Sequence, residues 1–130
     1  MKASSGKIGQ WGEGIAAEYL EERGYQILTR NYHTSQGEID IVAVSPDIQY
    51  PCLVFVEVKT RSSPKYGYPE EAVGRKKWQR MSKAILVYLE AHPDLESEWR
   101  VDVIAILGQP GGVNPQIQHY ENVVMPNERE

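Results

Sequence analysis

An α/β fold, with a mixed β-sheet flanked by helices in the order αβββαββ, is what this sequence predicts. Three observations predict it. Two stretches repeat apolar residues at three- and four-residue spacing, the pattern of helices that bury one side. Five others are rich in β-branched and aromatic residues and are bounded by Gly, Pro, Asn or Asp, as strands are. The connections after the first two strands are short, which suits antiparallel neighbours. A chain of 130 residues has room for one hydrophobic core, so residues 1–125 read as a single domain and 126–130 as a disordered tail.

The first helix runs through "IGQWGEGIAAEYLEERG". Ser4 or Ser5 is placed to cap it, and Gly24 to end it. Ile8, Trp11, Ile15 and Tyr19 form its apolar stripe. Gly6, Gly9 and Gly12 stand three residues apart, and an interior glycine costs about 1 kcal/mol against alanine. Such a row means either that the helix starts late or that its backbone approaches something closely, by tight packing on a sheet or contact with a phosphate backbone. Three strands follow, "YQILTRNY" (Tyr25 to Tyr32), "GEIDIVAV" (Gly37 to Val44) and "LVFVEVKTR" (Leu53 to Arg61). "HTSQG" is short enough for a hairpin, and "SPDIQYP" is a longer link.

Beyond a loop with Pro64, Gly67 and Pro69, a second helix is expected from about Glu70 to Ala91. Its stripe is Met81, Ile85 and Tyr88, joined by Trp78, Ala84 and Leu89. "RVDVIAIL" and "IQHYENVV" supply the last two strands. The "GQPGGVNP" between them is a turn, without the lysine and following helix of a phosphate loop.

Hydrophobic residues make up 41% and charged residues 25%, an ordinary globular balance. No apolar run reaches the roughly 20 residues of a membrane span, and "MKASSGKIGQWGEG" lacks the apolar core of a secretory signal. A cytoplasmic location without membrane partners is the expectation. Cys52 is the sole cysteine, which excludes an intrachain disulfide and a multi-cysteine zinc site. No signature ties it to His33, His92 or His119, so thiol catalysis is not expected. The net charge of −4 conceals an asymmetry. From Glu57 to Lys83 there are eight Lys or Arg against three Glu, a local balance of +5 that leaves −9 elsewhere. A basic patch on an acidic body is a local electrostatic footprint.

The chemistry concentrates in charges set among apolar strand residues. Side chains alternate along a strand, so Glu57, Lys59 and Arg61 share a face, as do Glu38, Asp40, Val42 and Val44 on the strand before. Antiparallel pairing brings Asp40 beside Glu57. Two neighbouring carboxylates repel unless a proton, a cation or a metal lies between them. Lys59 can neutralise one; Mg²⁺ can satisfy both and still accept substrate phosphate oxygens. Glu13 falls in the helical row of Ala16, Ala17 and Leu20, which turns it inward, either as an outer-sphere partner of the metal or as half of an ion pair. Lys76, Arg80 and Lys83 form a ridge on the second helix, an ordinary solvated face or, with Arg61 and Lys65 nearby in sequence, a set of phosphate contacts. A purely structural Glu57–Lys59 pair is worth at most about 1 kcal/mol and leaves Asp40 unexplained. Asp102 is a further acid in an apolar strand to which the sequence assigns no role; capping a structural hydrogen-bond network is one reading.

Glu13 on a helix, Asp40 in a strand and Glu57-Val58-Lys59 on its neighbour, in αβββα order, resemble the PD-(D/E)xK restriction-endonuclease-like nucleases. The whole chain up to about Ile106 more closely resembles the bacterial YraN-like family of uncharacterised, predicted endonuclease-related proteins. The matching stretches are "GEGIAAEYLEERGYQILTRNY", "GEIDIVAV", "LVFVEVKTRSSPKYGYPEEAV", the lysine-containing helix and "RVDVIAI". The resemblance implies a restriction-endonuclease-like sheet and Mg²⁺ (or Mn²⁺) held by Asp40 and Glu57, with the Val58 carbonyl as a third ligand. It also implies Lys59 orienting or deprotonating an attacking water. Glu13 matches the helix glutamate of the Holliday-junction-resolvase branch. Ile39 stands where the superfamily name has proline, and His33 where the family often has arginine, which leaves one phosphate contact open. The implied activity is metal-dependent phosphodiester hydrolysis of DNA, branched intermediates included; cutting a junction takes two sites, hence a homodimer. The alternative is a catalytically silent nucleic-acid-binding or repair-accessory module on the same fold.

Overall fold

In a computed structural model, residues 5–62, 74–95 and 98–123 are described. Two helices and five strands follow in the predicted order: α1 (Ser5–Glu22), β1 (Gln26–His33), β2 (Glu38–Val44), β3 (Leu53–Arg61), α2 (Arg75–Ala91), β4 (Trp99–Leu107) and β5 (Gln116–Tyr120). The strands form one sheet in sequence order, β1-β2-β3-β4-β5. Only β3 and β4 run parallel among these neighbours, because α2 lies between them and carries the chain back across the sheet. The other three pairings are antiparallel, so the sheet is mixed.

One helix covers each face. Ala16, Ala17 and Leu20 of α1 pack on Ile41, Ala43, Val54, Val56, Ile104 and Ile106. Met81, Ala84, Ile85 and Tyr88 of α2 pack on Val42, Leu53, Phe55 and Val101, with Trp78 and Leu89 at the margin. Small residues on α1 let the helix approach the sheet, and Gly12 brings it closest: a methyl group there would collide with the Thr60 side chain of β3. Gly9 has open space instead. The glycine row therefore divides between packing and exposure.

Gly24 ends α1 at φ 88°, its amide bonded to Glu21 O while the Tyr25 amide reaches Leu20 O, both at 3.0 Å. In the β1–β2 hairpin, Thr34 Oγ1 accepts from the amides of Gln36 and Gly37 at 3.1 and 2.9 Å. Gly37 has no side chain because the Arg80 carbonyl of α2 occupies that space.

Three boundaries differ from expectation. The described part of α2 begins at Arg75, with Gly74 as its N-cap, and residues 70–73 lie outside the described set, as do Ser4, Lys65 and the tail 126–130. The last strand ends at Tyr120 and not at Val124, since Asn122 takes a left-handed φ of 52° that no strand continues through. The first strand carries a shift in register between Ile27 and Thr29, which hydrophobic alternation alone does not reveal. Among the described residues, no helix is long and apolar enough to cross a membrane.

Asp102 is wholly buried and organises a network at the β4–β5 edge. Its Oδ1 accepts from Arg100 Nε at 3.0 Å and from the Asn122 amide at 2.9 Å, and its Oδ2 lies 2.8 Å from His119 Nε2. Tyr19 of α1 reaches His119 Nδ1 at 3.2 Å, and Arg100 also donates to Tyr25. Although burial pushes the Asp102 pKa up, hydrogen bonds from His119, Arg100 and the Asn122 amide win and hold it below the ordinary aspartate value. This network gives the acid a structural role that the sequence left open.

Candidate active site

The site forms where β2 and β3 part. Their paired rungs end at Ile41 opposite Val56, and beyond that point the Asp40 carboxylate takes over from the backbone: its Oδ2 accepts from the Val58 amide at 2.8 Å. Ile39 packs in the α2-side cluster and Ile41 in the α1-side cluster, so strict alternation fails across Asp40. That twist corrects the expectation of a carboxylate simply facing the same way as Glu57. Asp40 instead lies between layers, sharing a hydrogen bond with Glu13 of α1 while its charge is felt at Glu57.

Glu13 is turned inward as its helical row requires, only 7% exposed. Its partner is a residue that sequence reasoning missed. Asn31 of β1, with its amide nitrogen facing the carboxylate, donates to both Glu13 oxygens at 2.7 and 3.0 Å. Asn31 can do so because it adopts a left-handed φ of 54°, which asparagine tolerates better than most side chains. Asparagine in a strand-like stretch was the available signal.

Glu57 is 2% exposed on the α2 side of the sheet. Lys59 Nζ lies 3.5 Å from its Oε2, but the nearer cation is Lys77 of α2, at 2.9 Å from the same oxygen. Lys77 was not singled out in the sequence, where it is one of several basic residues in "GRKKWQR". The exposed ridge of Lys76, Arg80 and Lys83 lies on the same helix but does not line the cleft below, and Arg61 donates to the Thr60 carbonyl at 3.1 Å.

All three acids hold protons more tightly than free carboxylates. Burial pushes the Asp40 pKa up to about 6, helped by Glu13 and opposed by the Val58 amide. Burial likewise raises Glu13, against the favourable contacts of Asp40, Arg30 and Asn31. At Glu57 burial and the Asp40 charge outweigh both ammonium groups, so its pKa also rises. Lys59 moves the other way: burial, with Lys77 and Arg61 nearby, lowers its pKa despite Glu57.

An open cleft of about 270 Å³ reaches the Glu13–Asp40 side of this centre and is not lined by Glu57 or Lys59; its walls are Gly6, Gly9, Gln10, Glu13, Asn31, His33, Glu38, Ile39, Asp40 and Val58. His33 pairs with Glu38 at its rim, 3.1 Å apart. The donors are hard oxygens crowded beyond what their own charges favour, which suits Mg²⁺ or Mn²⁺. Among the described residues, no three His, Cys, Asp or Glu side chains form a ready-made metal cage. Mg²⁺ needs none, since one or two carboxylates with retained waters suffice.

Comparison with known proteins places this geometry in a lineage. The profile of "Uncharacterised protein family UPF0102" matches residues 12–106, from the middle of α1 through nearly all of β4. A UPF0102 protein of Syntrophomonas wolfei is 44% identical over 116 residues, covering 89% of this chain and 96% of its own. One from Trichlorobacter lovleyi is 44% identical over 115 residues, covering 88% and 87%. One from Arthrobacter sp. is 42% identical over 116 residues, covering 89% and 94%. Among solved structures, Pyrococcus furiosus SfsA in complex with Ca²⁺ aligns at 14% identity and a TM-score of 0.36, over 90% of this chain and 62% of that one. The family match and the relatives agree across the helices and strands that build the cleft, and the chain belongs to the UPF0102 (YraN-like) family.

Proposed function

We propose that this protein is a metal-dependent phosphodiesterase acting on DNA. One observation supports this most: Asp40, where β2 and β3 part, couples to Glu13 on the α1 side, where an open cleft reaches both, and to Glu57 on the α2 side, which lies 3.5 Å from Lys59. Asp40 and Glu57, with the Val58 carbonyl, would hold Mg²⁺ or Mn²⁺. Such an ion, when bound, polarises a phosphoryl oxygen and makes water a better nucleophile.

The chain's own residues do the rest. Asn31 fixes Glu13, and Glu13 in turn fixes the orientation of Asp40. The Val58 amide and Glu13 together fix the Asp40 carboxylate at the end of the β2–β3 pairing. Lys59, whose proton burial loosens, is placed to orient an attacking water and exchange a proton with it. Gly6 and Gly9, bare of side chains at the cleft wall, leave room for a phosphate backbone. Lys76, Arg80 and Lys83 supply sequence-independent contacts to flanking phosphates.

A second reading has its own support. Glu57 is already held by two ammonium groups, as in a nucleic-acid-binding module that has no catalytic turnover. Labelled linear, flapped and four-way-junction DNAs incubated with Mg²⁺, Mn²⁺ or EDTA separate the two. The nuclease reading expects metal-dependent cutting that Asp40→Ala and Lys59→Ala abolish while DNA retention persists. Unimpaired cutting by either variant defeats the assignment. Salt-sensitive retention without cutting by the unmodified protein moves it to the binding module.

A further inference from the structure

We propose that Lys77 is a tethered counter-cation of the metal site, seated on Glu57 until a divalent ion displaces it toward a substrate phosphate. The proposal rests on the reading of Asp40 and Glu57 as metal ligands. Its physical basis is crowding. Lys59 and Lys77 both contact Glu57 Oε2, at 3.5 and 2.9 Å, and Asp40 also feels the Lys77 charge. A divalent ion held by Asp40 and Glu57 would add its charge to a space where two ammonium groups already repel each other. One of them has to withdraw.

The two lysines differ in their freedom to do so. Lys59 lies on β3, two residues from Glu57, and its side chain is 14% exposed. Lys77 comes from the first turn of α2, and its side chain is 38% exposed. Its four-carbon stem can swing the ammonium from the sheet to solvent without moving the backbone. Where it swings, it joins the helix that carries Lys76, Arg80 and Lys83. The exchange moves a cation and no proton, since its carboxylate neighbours keep Lys77 charged.

A consequence follows from linkage. A phosphate that takes Lys77 frees Glu57 for metal, and metal on Glu57 frees Lys77 for phosphate, so each ligand strengthens the other by the same factor. Without nucleic acid, metal binds against its tethered competitor.

Calorimetric titration with Mn²⁺ alone, on the full chain, tests this by affinity and not by activity. Lys77→Gln is expected to bind Mn²⁺ roughly tenfold more tightly than the unmodified protein, about 1.4 kcal/mol. Lys83→Gln, a charge removed from the same helix, is expected to change it little. In EDTA, Lys77→Gln melts below the unmodified protein, and saturating Mn²⁺ reverses the order. Lys77→Met, which keeps the apolar stem, gives the same result should the glutamine variant fold poorly. Equal or weaker Mn²⁺ binding by both Lys77 variants, with clear binding by the unmodified protein, overturns the counter-cation and leaves the metal reading intact. Absence of Mn²⁺ binding in all of them overturns both.

Discussion

Asp40 carries the most chemistry of any residue in this chain, and its environment makes a prediction of its own. Burial raises its pKa to about 6, whereas an unfolded aspartate titrates near about 3.9. The folded state thus binds this proton more tightly than the unfolded state does. The stability it contributes is complete below about pH 4 and is lost as the pH rises through about 6. Asn at position 40 can still accept from the Val58 amide but cannot ionise. In EDTA, Asp40→Asn should therefore match the unmodified protein near pH 4 and exceed it by on the order of 2 kcal/mol at pH 8. Urea denaturation at the two values measures this, and because Glu13 and Glu57 titrate together with Asp40, the difference reports the whole cluster. A difference that stays flat with pH means that Asp40 is not desolvated. The acids of this centre were legible in the sequence because charge in an apolar strand is costly and stands out. Asn31 and Lys77 were not, because neither is unusual where it sits: one depends on a left-handed backbone and the other on how α2 docks.

Elements were read well where periodicity was strong. The β2 and β3 segments appear within a residue of the expected bounds and the α2 stripe buries as predicted, whereas on α1 it is Ala16, Ala17 and Leu20 that bury, with Trp11, Ile15 and Tyr19 only partly covered. What alternation could not supply was the twist at Asp40, which needs three layers competing for one side chain. The glycine row of α1 is an intermediate case, since tight packing on the sheet accounts for Gly12 and not for Gly9. Gly12 meets Thr60, whereas Gly9 faces open space in the cleft wall. Gly12→Ala should cost about 1–2 kcal/mol, overpacking of about 1–3 kcal/mol outweighing the gain in helix propensity. Gly9→Ala should instead stabilise the fold by about 0.5–1 kcal/mol. If a phosphate backbone passes over this wall, the same stabilised Gly9 variant binds DNA more weakly. Melting curves and filter retention on the two proteins check both halves, and unchanged retention by Gly9→Ala removes the wall from the binding surface.

At the scale of the molecule, charge is distributed against its own average. A net −4 discourages polyanions everywhere except along the strip from β3 to α2, where the local balance is +5. The parallel β3–β4 pairing matters here, because its crossover segment is what carries both the lysine that holds Glu57 and the ridge of Lys76, Arg80 and Lys83. One helix thus serves the carboxylates with its first turn and offers the ridge to a polyanion. Of the basic residues counted there, Lys76, Arg80 and Lys83 are exposed on α2, where they can favour a polyanion over the acidic remainder of the chain. Each phosphate neutralised releases counterions, so log affinity falls with log salt by about 0.9 per contact on duplex DNA. Replacing Lys76 and Lys83 together by Gln should therefore lower the salt slope by roughly 2, weaken binding to all sequences alike, and leave Mn²⁺ affinity unchanged. Fluorescence anisotropy across a salt series reads the first two, and calorimetry the third. A slope that does not move places the ridge away from the phosphates and returns it to the solvent.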